Sequence, residues 1–141
     1  MTRPLSLLMT FIIVSFSSGD FFSSNAHAQR IQTEHEVQLI ATGLKFPWGM
    51  AFLPDGNLLV TERVGQLRII TPAGHVSKPI KGVPKVFAQK QGGLLGVALD
   101  PDFANNNLIY LSYAEPEGSK AGTAVARAKL DGNSLKDLKV I

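Results

Sequence analysis

A chain of 141 residues, 45% hydrophobic and 18% charged, has the length of one ordinary globular domain and too much apolar content for a disordered or fibrous one. Its formal charge of +3 is scattered along the sequence rather than gathered into a basic stripe, which argues against nucleic acid as a partner. It has no cysteine, and this excludes a disulfide framework, a zinc knuckle and a thiolate nucleophile.

The first expected element is a leader. Met1-Thr2-Arg3 is a short basic start, and residues 5–16 (LSLLMTFIIVSF) form an apolar run too short to span a bilayer comfortably. Polar Ser17-Ser18-Gly19-Asp20 follows, and then Ala26-His27-Ala28, the small-x-small form that a signal peptidase accepts. We read residues 1–28 as a secretory signal cleaved after Ala28. The mature chain then starts at Gln29, in the periplasm or outside the cell, with no stable membrane anchor; a retained anchor is disfavoured by the short apolar core.

Beyond the leader the sequence repeats itself. Residues 48–55 (WGMAFLPD) return as residues 95–102 (LGVALDPD), with the Gly, the Ala and the final Asp in register. Residues 57–60 (NLLV) then match residues 107–110 (NLIY), the second copy having taken in loop residues around Ala104, Asn105 and Asn106. The period of roughly 47 to 50 residues is that of one four-stranded blade. In the first copy Asp55-Gly56 is a tight-turn signal between apolar runs. Gly65-Gln66 turns residues 60–63 into residues 67–70, and Pro72-Ala73-Gly74 ends that strand. In the second copy residues 123–130 alternate between faces, Asp131-Gly132-Asn133 turns the chain, and residues 138–141 read as part of a strand. Outside the leader there is no 3.6-residue apolar period, so the fold class is all-β and the architecture a β-propeller. The mature segment supplies about two blades and a lead-in strand, against the ~4 to 8 blades of a closed propeller. Residues 29–141 are therefore expected to be the amino-terminal part of a larger propeller; a chain truly complete at Ile141 would expose strand edges and aggregate.

The first strand of each propeller blade lines the central channel, so the loop feeding it opens on the channel rim. Gln91 occupies that loop in QGGLLG (residues 91–96), where the first copy has Leu44. An amide donates and accepts at once, which suits a ligand rich in carbonyl and carboxylate oxygens. Gly92 and Gly93 are expected to clear side chains from the path of a flat ligand. The competing reading is a surface glutamine beside a glycine turn. The remaining polar residues read as structural. His27 leaves with the leader, His35 lies in a polar lead-in, and His75 sits in the turn after Gly74, where a solvated loop histidine is the stronger reading. Asp100, Asp102 and Asn105-Asn106-Asn107 have the look of a calcium loop but lack the bidentate acid, and turn formation accounts for them better. Glu62 and Arg63 are expected to pair across the sheet, Trp48 to pack between blades, and residues 115–122 (EPEGSKAG) to form a flexible inter-strand loop that in a full-length protein would contribute to a channel rim.

Taken together, residues 46–56 (FPWGMAFLPDG), residues 59–63 (LVTER) with Gly65, residues 91–95 (QGGLL), residues 101–103 (PDF) and residues 120–125 (KAGTAV) resemble the amino-terminal portion of the soluble PQQ-dependent aldose sugar dehydrogenases, the glucose/sorbosone dehydrogenase family. The resemblance runs from about residue 37 to the end of the chain, and it is the order and spacing of the motifs that make it specific. It implies a six-bladed β-propeller exported to the periplasm. It further implies oxidation of the aldose C1 hydroxyl with pyrroloquinoline quinone (PQQ) over the channel mouth, calcium polarising it, and a separate electron acceptor. The family's glutamine beside cofactor and sugar matches Gln91, the one site residue that carries over. The general-base histidine, the cationic residues that pair with the cofactor carboxylates and the calcium ligands belong to later blades, beyond Ile141. The resemblance thus implies no catalytic residue and no metal ligand within this segment, and no activity or bound cofactor for the segment alone. The alternative is a secreted propeller that binds carbohydrate or protein without redox chemistry.

Overall fold

The computed structural model describes Glu36–Ile141; the leader, the proposed cleavage site and both His27 and His35 lie outside the described residues. Short runs of β-branched and aliphatic residues, broken by Asp-Gly, Gly-Gln and Asp-Gly-Asn turns, fold into two antiparallel sheets. The first sheet has the order β1 (Pro47–Phe52), β2 (Leu58–Glu62), β3 (Gln66–Ile70). The second is a four-stranded meander of β4 (Leu94–Leu99), β5 (Leu108–Glu117), β6 (Lys120–Asp131) and β7 (Ser134–Val140). These are blades of a β-propeller, and only part of a closed ring is present among the described residues. The outer edge of β3 is covered by residues 76–80: Ser77 donates its N–H to the Ile69 carbonyl at 2.8 Å and Ile80 to that of Leu67 at 2.9 Å. The chain then reaches the second blade, where Lys81 bridges to Ser134: its N–H donates to the Asn133 carbonyl at 3.0 Å and its carbonyl accepts the Leu135 N–H at 2.7 Å.

The core lies between the blades. Leu59 and Leu67 from the first meet Leu94, Ile109, Leu111 and Tyr113 from the second, all fully buried. Each such side chain contributes about 1.5–3 kcal/mol when removed from water. Alternate positions of β6, Ala124, Ala126 and Ala128, present small side chains to this core while Val125, Arg127 and Lys129 face solvent, which is the two-residue period expected there.

The sequence repeat is also a repeat of local geometry. The ladder of β1 and β2 slips between Pro47 and Met50, and that of β4 and β5 between Leu94 and Val97, the matching positions of the two copies. At each bulge a hydroxyl from the neighbouring strand takes the glycine N–H left without a ladder partner: Gly49 donates to Thr61 Oγ1 and Gly96 to Ser112 Oγ, both at 2.9 Å. The starts of β1 and β4 lie close together at these bulges: a Cβ on Gly49 would come within 2.9 Å of the Leu95 carbonyl oxygen.

Two local expectations are corrected. The inserted residues of the second copy form a one-turn helix, α1 (Phe103–Asn106), closed by Asn107 in the left-handed region at φ 54°. Four residues are too few to show a helical period. Residues 115–122 form no loose loop: β5 and β6 stay paired through Glu117↔Lys120 and turn only at Gly118 and Ser119. This arm runs beyond the start of β4 with its residues solvated, so backbone pairing orders it without any apolar alternation to announce it. Trp48, expected to pack between blades, does not pack between the two described ones: it is 54% exposed on the face of β1 turned away from the second blade. The strand period that points Gly49 and Ala51 inward points Trp48, Met50 and Phe52 outward.

Candidate functional site: the Gln91 turn

β1 and β4 start at the same edge of the two sheets, and the turn leading into β4 carries Gln91 there. Gly92 donates its N–H to the Gln89 carbonyl at 2.8 Å, Lys90 adopts φ 51° and Gly93 φ 145°, and the Gln91 side chain is exposed. Beside it opens a cavity of about 340 Å³ lined by Phe87, Lys90, Gln91, Ala114 and Thr123 among others, with no acidic side chain in its wall. An amide, an ammonium and a hydroxyl are donors, and such a wall suits an oxygen-rich, anionic or neutral ligand.

The glycine pair serves another purpose than the one expected from sequence. A Cβ on Gly92 would run into the Phe87 carbonyl oxygen and one on Gly93 into the carbonyl oxygen of Arg63. Both glycines therefore let the turn press against protein backbone, and the space they keep free is not ligand space.

Glu62 pairs across the sheet as expected: its fully buried carboxylate accepts from Arg68 Nε at 2.7 Å and from the backbone N–H of Lys45. Arg68 is held in turn by Gln66 Oε1 at 2.7 Å and the Ser77 carbonyl at 2.8 Å. Arg63 departs from that expectation. Its guanidinium lies 5.3 Å over the Phe46 ring, and Nη1 donates to the Lys90 carbonyl in the Gln91 turn.

His75 stands at the end of β3, the sheet edge opposite Gln91, exposed in a turn where its N–H donates to Thr71 Oγ1 at 3.1 Å. Asp100 lies at that far edge too. It accepts from Asn106 Nδ2 at 2.8 Å, the Asp102 N–H at 3.0 Å and the Tyr110 hydroxyl at 2.8 Å. These bonds, led by the Asn106 amide, hold its carboxyl below the usual carboxylate range, and the bond to Asp100 pushes the Tyr110 hydroxyl up. Asp102 binds the Asn105 side-chain amide. The Asp and Asn run thus spends its polar atoms on its own turn, as read from the sequence. Among the described residues no three or more His, Asp or Glu side chains converge as a metal would need.

The sequence reading missed the contact of Arg63 with the Gln91 turn and the two hydroxyls at the bulges. The first left no signal, since residues 63 and 90 are far apart in sequence; the second was hidden because pairing NLLV with NLIY sets Leu111 rather than Ser112 against Thr61, and the strand registers, with Val60 and Leu111 in equivalent places, shift that pairing by one residue.

A family model described as Glucose / Sorbosone dehydrogenase matches residues 44–141, the whole span from ahead of β1 to the last residue. The chain belongs to the glucose/sorbosone dehydrogenase family. Within that family it is 45% identical over 102 residues to the aldose sugar dehydrogenase YliI of Escherichia coli, covering 71% of this chain and 28% of that one. A solved glucose dehydrogenase superposes with a TM-score of 0.67 at 51% identity, over 70% of this chain and 32% of the other. The PQQ-bound aldose sugar dehydrogenase of Streptomyces coelicolor superposes with a TM-score of 0.66 at 30% identity, over 74% and 32%. Human Hedgehog-interacting protein is 31% identical over 85 residues, 55% of this chain and 12% of that protein. The chain spans less than a third of the length of the curated relatives it matches. No helix among the described residues is long and apolar enough to cross a membrane.

Proposed function

We propose that this glucose/sorbosone dehydrogenase family segment is the amino-terminal part, residues 29–141 after a signal peptide, of a periplasmic or secreted PQQ-dependent oxidoreductase that oxidises the C1 hydroxyl of aldose sugars and passes electrons to a separate acceptor. The observation that carries the reading is the position of Gln91: an exposed amide on a braced turn at the mouth of the innermost strand, in a chain of this family. Gln91 is the residue we assign to the cofactor and sugar. Its Nε2 donates to carbonyl or carboxylate oxygens and its Oε1 accepts from a hydroxyl, so it orients an oxygen-rich ligand without exchanging a proton. The donor-bearing wall beside it, with Lys90 and Thr123 and no acidic side chain, fits such a group. PQQ, when bound, supplies the two-electron acceptor and calcium the Lewis acid; the general base and the calcium ligands are assigned to residues beyond Ile141, so the segment alone is expected to bind neither group and to turn over no sugar.

The test is to express the longest natural reading frame that contains this segment and titrate it with PQQ and calcium while following aldose-dependent dye reduction. Cofactor-dependent turnover that falls when Gln91 becomes Ala supports the reading. A second reading, a secreted propeller that binds a protein or carbohydrate without redox chemistry, is favoured by the match to Hedgehog-interacting protein. A frame that folds but neither binds PQQ nor reduces dye decides for it.

A further inference from the structure

One residue of the first blade holds both feet of the turn that carries Gln91. The Arg63 side chain donates from Nη1 to the carbonyl oxygen of Lys90, immediately before Gln91, and the Arg63 carbonyl accepts the N–H of Leu94, three residues after it, at 3.1 Å. Arg63 is itself immobilised. Its guanidinium stacks over Phe46 at 5.3 Å, and its backbone N–H donates to the Phe46 carbonyl at 3.0 Å. Two of the residues involved, Phe46 at φ 54° and Lys90 at φ 51°, adopt the left-handed conformation that side chains other than glycine's disfavour. The turn is therefore kept in a shape that its own residues would not select, by contacts from a neighbouring blade. At Gly93 the chain lies so close to the Arg63 carbonyl that no Cβ fits between them.

We propose that Arg63 is a positioning residue for Gln91, setting the direction in which the amide leaves the rim; this rests on the assignment of Gln91 to the cofactor. Arginine suits the task because its planar head stacks on a ring while donating within its own plane, which a lysine ammonium does not do. Without it, the Lys90 carbonyl loses its partner, the left-handed residue relaxes, and Gln91 samples several directions.

The variants are Arg63→Met and Arg63→Lys, each alone and combined with Gln91→Ala, made in the longest natural frame that contains this segment. In the protein without PQQ, amide exchange in a peptide covering residues 88–94 should quicken about tenfold in both Arg63 variants, while a β5 peptide is unchanged. Unaltered exchange at residues 88–94 overturns the proposal. If Arg63→Met does not fold, Arg63→Lys carries the comparison, since it keeps the charge and the aliphatic stem. Affinity for PQQ, followed by fluorescence quenching, should fall about tenfold for Arg63→Lys in the wild-type background and by less than about twofold where Gln91 is already Ala, the non-additivity expected of residues that act as one. Equal losses in both backgrounds overturn positioning through Gln91. Normal PQQ binding by Gln91→Ala overturns the cofactor assignment and the positioning role with it. Weakened binding by Gln91→Ala, with no effect of the Arg63 variants, overturns the positioning role alone.

Discussion

Thr61 Oγ1 accepts the N–H of Gly49 at 2.9 Å and donates to the Leu95 carbonyl of the next blade, so a single hydroxyl both closes a bulge and ties β2 to β4. Replacing Thr61 with Val keeps the shape but strands a buried donor and a buried acceptor. We expect a loss of about 1–3 kcal/mol, read as a lower urea midpoint, and near-complete recovery in Thr61→Ser. Ser112→Ala, which removes only the Gly96 cap in the second blade, should cost less.

Arg68→Met should be the most damaging single change in the first blade. It leaves the fully buried Glu62 carboxylate with only the Lys45 N–H, and an uncompensated buried charge costs about 3–5 kcal/mol. The double variant Arg68→Met with Glu62→Gln should recover part of that loss, because the charge is gone. Chemical denaturation of the four proteins of the cycle checks it.

At Gly93 the backbone combines φ 145° with a carbonyl where a Cβ would stand. Gly93→Ala is expected to lower stability by about 1–3 kcal/mol through strain and displacement of the Arg63 contact. Gly118→Ala is the control: its φ of 57° carries backbone strain, yet nothing lies within reach of an added Cβ. A larger fall in melting temperature for Gly93→Ala isolates the packing contribution.

The Asp100 carboxyl, accepting from Asn106, Asp102 and Tyr110, titrates below the ordinary 3.8. A group whose folded value is lowered adds stability that is fully present above its unfolded value and is lost as pH falls through the folded one. Stability should therefore drop on acidification below pH 3.8, and Asp100→Asn should flatten that part of the pH profile. An unchanged profile in thermal melts from neutral pH downward contradicts the assignment.

For the rim, Gln91→Ala is expected to weaken PQQ binding about tenfold, the usual loss of one well-placed hydrogen bond, with no change in thermal stability because the side chain is exposed. Equilibrium titration and a melting curve on the same preparation separate the two.

Much of the fold could be read along the chain. The return of WGMAFLPD as LGVALDPD located β1 and β4, the Asp-Gly and Gly-Gln turns separated the strands that follow, and the alternation of residues 123–130 marked the buried alanines of β6. Such periodic signals survive because side-chain direction in a strand depends on local backbone geometry alone. The same rule gave no hint that β5 and β6 run on as a paired arm past β4, or that α1 closes one turn between them and the end of β4, since solvated pairs and four-residue helices carry no period.

The sequence by itself determined the repeat, the all-β class and the place of Gln91 in the turn that leads into β4. Only the tertiary structure decided what braces that residue. Arg63, Phe46 and Lys90 meet because two blades pack against each other, and their contacts join residues up to 27 positions apart, whose proximity follows from the packing of the sheets and from nothing in the local sequence.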